Sequence, residues 1–128
     1  MIKKASYTGI EMSLGDAIDR VTILTRKIAF GEEGAYKEHT YLTEAIDKLN
    51  IKLSGALLSA IIRVALANFE VWNRENAFRR GEEMDAEDVK KMMIEVRNFN
   101  SKRYDNKNEI NRLTGLGFRE FKIQHRSR

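Results

Sequence analysis

The chain has 128 residues, 42% of them hydrophobic, and 23 Lys and Arg against 19 Asp and Glu give it a net charge of +4. That length and apolar content suit one domain around one buried core. With no Cys and two His, His39 and His125, disulfide and thiolate chemistry and the Cys- and His-rich zinc patterns are excluded.

The charge is unevenly placed. Residues 97–128 hold nine Lys or Arg against three Asp or Glu, so the C-terminal quarter is the basic part. Such a segment attracts phosphate, nucleic acid or acidic partners, although charge runs are commonly only a solvated face. Met1-Ile2-Lys3-Lys4-Ala5 has no apolar run behind its lysines, so no signal peptide is expected and the chain reads as cytoplasmic. The apolar run Leu53–Trp72 carries Arg63, Asn68 and Glu70, which suits a buried helix of a soluble protein better than a membrane span.

Residues 2–12 alternate loosely through Ile2, Tyr7, Ile10 and Met12 and read as extended or irregular. Ser13 has the chemistry of a helix N-cap, with Asp16 three positions on as a capping-box acid. A first helix follows over 14–30, burying Leu14, Ala17, Ile18, Val21, Leu24 and Ile28 in one stripe. Gly31 and Gly34 end it. A weaker second helix is expected over 35–51, with Leu42, Ala45, Ile46 and Leu49 inward. Ser54-Gly55 is a plausible break, although one glycine costs a helix only about 1 kcal/mol. The third helix, 55–80, is the most hydrophobic. Between Leu57 and Trp72 its apolar residues cover roughly 220° of the wheel, so it is expected to be the central helix or to carry a subunit interface as well.

Gly81 stops the third helix, and Asp85 with Asp88 opens a fourth over 86–114, closed by Gly115 and Gly117. The remaining segment, 118–128, is short, aromatic and basic, and pairs with the N-terminal segment if it forms a strand. The expected architecture is therefore all-α: a single domain, 1–128, whose helical body at 13–114 is an antiparallel bundle of about four helices, with extended or irregular ends at 1–12 and 118–128.

The fourth helix carries the main anomaly. Val89, Met92, Met93, Val96 and Phe99 define its inward stripe, and Asn100, Arg103, Lys107, Ile110 and Asn111 continue it. An inward stripe that turns polar half-way is either snorkelling at a bundle end or a paired or ligand-filled cluster, because an unpartnered buried cation is costly. If the helices alternate up and down, Asp19 comes level with Lys107 and is the candidate counter-ion for Arg103 or Lys107. A second polar group continues the third helix beyond Trp72: Glu75 and Arg79, spaced as an intrahelical pair, near Lys27 at the opposite end.

No glycine-rich phosphate loop or Ser-His-Asp set is present. Glu82, Glu83, Asp85, Glu87 and Asp88 crowd one turn and read as capping and solvation, since a magnesium site needs carboxylates from converging elements. No catalytic residue, cofactor or metal ion is implied. Three blocks nevertheless form a pattern: Ser13-Leu14-Gly15-Asp16-Ala17-Ile18-Asp19-Arg20-Val21-Thr22-Ile23-Leu24 with Lys27-Ile28; Trp72-Asn73-Arg74-Glu75 with Arg79; and Asn100, Arg103, Lys107, Ile110, Asn111. Together they resemble a family of small bacterial and phage proteins known only as a domain of unknown function, departing from it at Asp16, where Glu is usual, and at Asn76, where an acid is common. The resemblance implies a helical fold and no reaction.

These residues lead first to a non-enzymatic helical module that binds a partner or an anion at the basic end of the fourth helix. Arg103 would supply a bidentate contact, Lys107 a point charge, and Asn100 and Asn111 orienting hydrogen bonds. One alternative is an enzyme acting on a phosphorylated small molecule or nucleotide, with Glu75 or Asp19 as base. Another is nucleic-acid binding through the basic tail with Tyr104, Phe118 and Phe121. The partners implied are an anionic small molecule, an acidic protein or nucleic acid, together with further copies of the chain, and no membrane.

Overall fold

The computed structural model describes residues 8–117 and 119–123. The expectations above for Ile2, Tyr7, Phe118 and the end of the basic segment, 124–128, lie outside the described residues. The architecture is an all-α helical bundle. Strands β1 (Thr8–Met12) and β2 (Arg119–Ile123) bring the two ends of the body together as an antiparallel ribbon, with Ile10 opposite Phe121.

Three of the four α-helices begin where a short polar side chain takes an orphaned amide. Ser13 is extended, and its hydroxyl accepts from the Asp16 amide at 3.0 Å to open α1 (Leu14–Ala29). A 3₁₀ turn at Glu33–Ala35 leads into α2 (Tyr36–Asp47). This helix is shorter than the expected 35–51, because Asn50 takes a left-handed conformation, φ 51°, that a helix cannot continue through. Ser54 then accepts from the Leu57 amide at 3.1 Å and opens α3 (Gly55–Arg79), so the second and third helices are separate. Asp85 and Asp88 exchange side-chain and backbone bonds in a capping box at the head of α4 (Ala86–Thr114), which Gly115 closes at φ 69°.

The packing is that of an up-and-down arrangement. Leu14 at the start of α1, Leu57 at the start of α3 and Ile110 near the end of α4 bury one another, joined by Ile46, Leu49 and Ile51 from the end of α2 and the loop after it. A second cluster, Ala17, Leu24, Ala35 and Leu42, fixes α2 to the other side of α1. It is α1, and not the more hydrophobic α3, that every other helix packs against. The reason is length: α2, with twelve residues, spans about 18 Å against about 37 Å for the twenty-five of α3, and it is occupied by α1. Much of the wide apolar arc of α3 is therefore left open. Beyond the body α3 and α4 continue as a two-helix arm, where among the described residues none from Phe69 to Phe99 is buried.

At Gly15 the backbones of α1 and α4 come close together. A Cβ at Gly15 would meet the Lys107 carbonyl oxygen, with the Asn111 Oδ1 at 3.0 Å. The blocking atom is backbone, so the helices themselves must part to admit a methyl group. Gly15→Ala is expected to destabilise the protein by about 1–3 kcal/mol in urea unfolding, despite the better helix propensity of Ala. Gly34→Ala, where the added carbon meets nothing within 4 Å, should be near neutral.

Candidate functional site

The polar stripe of α4 meets the first turns of α1. Three α1 amides that a helix start leaves without partners are taken internally: Leu14 N–H donates to the Leu116 carbonyl at 3.0 Å, Gly15 N–H to Asn111 Oδ1 at 2.7 Å, and Asp16 N–H to Ser13 Oγ. Asn111 is thus a cap supplied across the helix interface. One turn further, the Lys107 ammonium lies 2.8 Å from Asp16 Oδ1. The Asp16 carboxylate therefore reaches over to α4; its expected role was as the capping-box acid of α1, and Lys107 competes for it as a full positive charge where a backbone amide offers a partial one.

Asp19 is the centre of the cluster. It is 5% exposed, and a carboxylate so buried needs donors. Arg103 supplies two, Nε to Oδ1 at 2.8 Å and Nη2 to Oδ2 at 2.6 Å, in a fork that matches the carboxylate plane. Asn68 of α3 gives a third from Nδ2 to Oδ1 at 2.8 Å, and also donates to Thr22 Oγ1 at 2.9 Å, whose hydroxyl in turn donates to the Asp19 carbonyl at 2.7 Å. One aspartate so ties α1 to both α3 and α4. The Asp19 bonds hold the Arg103 guanidinium above its ordinary pKa; burial opposes this, and the charges of Asp19 and Asp16 assist it. Asn100 contributes a longer contact, accepting from Arg103 Nη1 at 3.4 Å.

The second polar group lies apart from this cluster. Glu75 and Arg79 pair at 3.3 Å on an exposed face of α3. The base that α1 sends to α3 at this end is Arg26, the neighbour of Lys27. Its guanidinium sits 4.4 Å over the Trp72 ring, which Phe30 also meets at 5.3 Å. Burial is the first cause of a lowered Arg26 pKa; Glu32 opposes it and Arg79 adds to it. Arg74, beside Glu75, does the bridging to α4: it reaches Glu70 at 2.7 Å and Glu95 at 3.2 Å while stacking 4.7 Å over Phe99.

Sequence reasoning assigned no role to Asn68 and Thr22 in the Asp19 network, and none to the bidentate Arg20–Glu38 pair, at 2.8 and 2.9 Å, that joins α1 to α2. Asn68 left a signal, as a lone amide inside the apolar arc of α3; Arg20 and Glu38 left none. Among the described residues, no buried side-chain nitrogen or oxygen lacks a partner, and no group of three acids or imidazoles is placed to hold a metal ion. No family model, curated protein or solved structure matches the chain, so the resemblance noted above rests on its three motifs alone.

The Asp19 network makes a sharp energetic prediction. Arg103→Ala leaves the carboxylate with Asn68 as its one remaining side-chain donor, an expected loss of about 2–4 kcal/mol. Arg103→Lys should recover no more than about half of that, because a point charge cannot reproduce the fork. In a double-mutant cycle by urea unfolding, Asp19→Ala should cost much less in the Arg103→Ala background than alone.

Proposed function

We propose that the chain is a non-enzymatic helical interaction module: its polar α1–α4 cluster serves the fold, and its working surface is the open apolar face of α3. One contrast carries this reading. Arg103, Lys107 and Asn111 are already engaged by Asp19, Asp16 and the Gly15 amide. Leu58, Ile62, Leu66 and Phe69, on one side of α3, stand 45%, 47%, 58% and 40% exposed. A contiguous apolar patch rimmed by polar residues is the usual mark of a protein-binding surface.

An anion approaching the basic end of α4 would have to displace Asp19 from Arg103 or Asp16 from Lys107, and the α1 amides that could otherwise receive it are occupied. The candidate bases fare no better as catalysts. Asp19 is 5% exposed and accepts three hydrogen bonds, so substrate does not reach it, and Glu75 is exposed and paired with Arg79, whereas a general base works within hydrogen-bond reach of a bound substrate.

A thermal-shift panel of phosphate, nucleotides, sugar nucleotides and divalent cations tests this. A ligand at about a hundred times its Kd adds ~2.7 kcal/mol, which raises Tm by several degrees. The expected outcome is no such rise. A magnesium-dependent rise would favour an enzyme, and an anion-dependent rise abolished by Lys107→Ala would favour the anion site.

A further inference from the structure

The open face of α3 has a period. Leu58, Ile62, Ala65, Phe69 and Trp72 recur at alternating spacings of four and three, the pattern of a coiled-coil seam, which keeps a straight row of side chains toward one facing helix. Its immediate flanks, Ser59, Ile61, Leu66, Asn68 and Asn73, carry no charge. Beside it α1 forms the far wall of a groove of about 400 Å³, with Thr22, Arg26 and Phe30 opposite Ile62, Leu66 and Phe69, and Ala65 between. Phe30 is 61% exposed there.

From this face we infer that α3 docks on the α3 of a second copy of this chain, antiparallel, about a twofold axis between Val64 and Arg63. The inference rests on the interaction reading above and names its partner. Self-complementarity carries it. In that register Leu58 opposes Phe69, Ile62 opposes Ala65 and Trp72 opposes Gly55, so two of the three pairs set a large side chain against a small one. Every pair occurs twice, as an isologous interface requires. The seam side chains of α3 are uncharged on both copies, and the Arg26 guanidinium beside them is stacked on Trp72 of its own chain. The area is adequate too. Side chains of this size, about half open, leave an apolar patch on the order of 400 Å². Since roughly 60% of an interface is apolar, the full footprint approaches the ~800 Å² per partner of a stable complex.

Analytical ultracentrifugation of the full chain across a concentration series tests the association. The wild type is expected to sediment as a dimer. Ile62→Glu and Leu66→Glu, both at half-exposed positions, should weaken association by at least about tenfold with unchanged helical circular dichroism. The chain has no Cys, so disulfides test the register: a mixture of Leu58→Cys and Phe69→Cys chains should cross-link Leu58→Cys to Phe69→Cys. Cross-linking of each variant only to itself would overturn the antiparallel register. A monomeric wild type would overturn the second copy while leaving the interaction reading, which fails separately if a small ligand emerges from the thermal-shift panel. Because α3 is long and apolar enough by composition to cross a membrane, flotation with phosphatidylcholine–phosphatidylglycerol vesicles is the remaining arm. A monomer that floats with them would overturn the proposal in favour of a bilayer.

Discussion

A buried carboxylate constrains this fold more than any apolar contact does. Asp19 lies where α1, α3 and α4 converge, and its charge is tolerable there only with donors arranged around it. Arg103 must therefore project from α4 toward that flank of α1, and Asn68 must project from α3. Those two requirements set the rotation of both long helices about their axes. Gly15 and Asn111 set the distance: the missing side chain lets the α4 backbone come up to α1, and the amide oxygen of Asn111 then reaches an N–H that would otherwise be stranded.

Apolar contacts alone would leave more freedom. The stripe of α4 facing α1 carries Arg103, Lys107 and Asn111 beside Ile110, while the alternative surface of α3, formed by Leu58, Ile62, Leu66 and Phe69, is apolar. Hydrophobic burial is non-directional, so an apolar α4 stripe could slide or repack against either neighbour. A carboxylate–guanidinium fork cannot slide by one residue without leaving two charges unpaired.

Much of this architecture was legible in the sequence, because helix starts and stops are chemical. Ser13, Ser54, Asp85 and Gly115 mark boundaries through groups that can or cannot satisfy the terminal amides and carbonyls. The polar break in the α4 stripe pointed to the cluster, and level-counting along alternating helices pointed to Asp19, since both depend only on helical rise and topology. The rest required coordinates for physical reasons. Asn50 ends the segment after α2 by adopting a backbone conformation that several residue types could have taken, or not. Asp16 chose Lys107 over its own helix, a competition decided by interhelical distance. That Arg26, and not Lys27, comes to lie on Trp72 follows from which flank of α1 faces α3. Hydrophobicity suggested that α3 would be central or would carry a subunit interface as well; the central helix is α1, because centrality depends on which neighbours are long enough to cover a helix.

That last reversal links fold to function. A helix with an apolar arc wider than its neighbours can cover must leave part of it in water, be covered by something else, or carry polar residues there. Here the arc is partly open, and its exposed residues are large, aligned and uncharged. Meanwhile the residue types best suited to chemistry are engaged within the fold, Asp19 by Arg103 and Lys107 by Asp16. The two halves of this pattern support each other: a rigid polar junction holds α3 in a fixed orientation, so its open face is presented as a preformed surface. A preformed surface loses less conformational entropy on docking than a loose one, and so the proposed module would gain from a junction in which Asp19 and Arg103 hold each other.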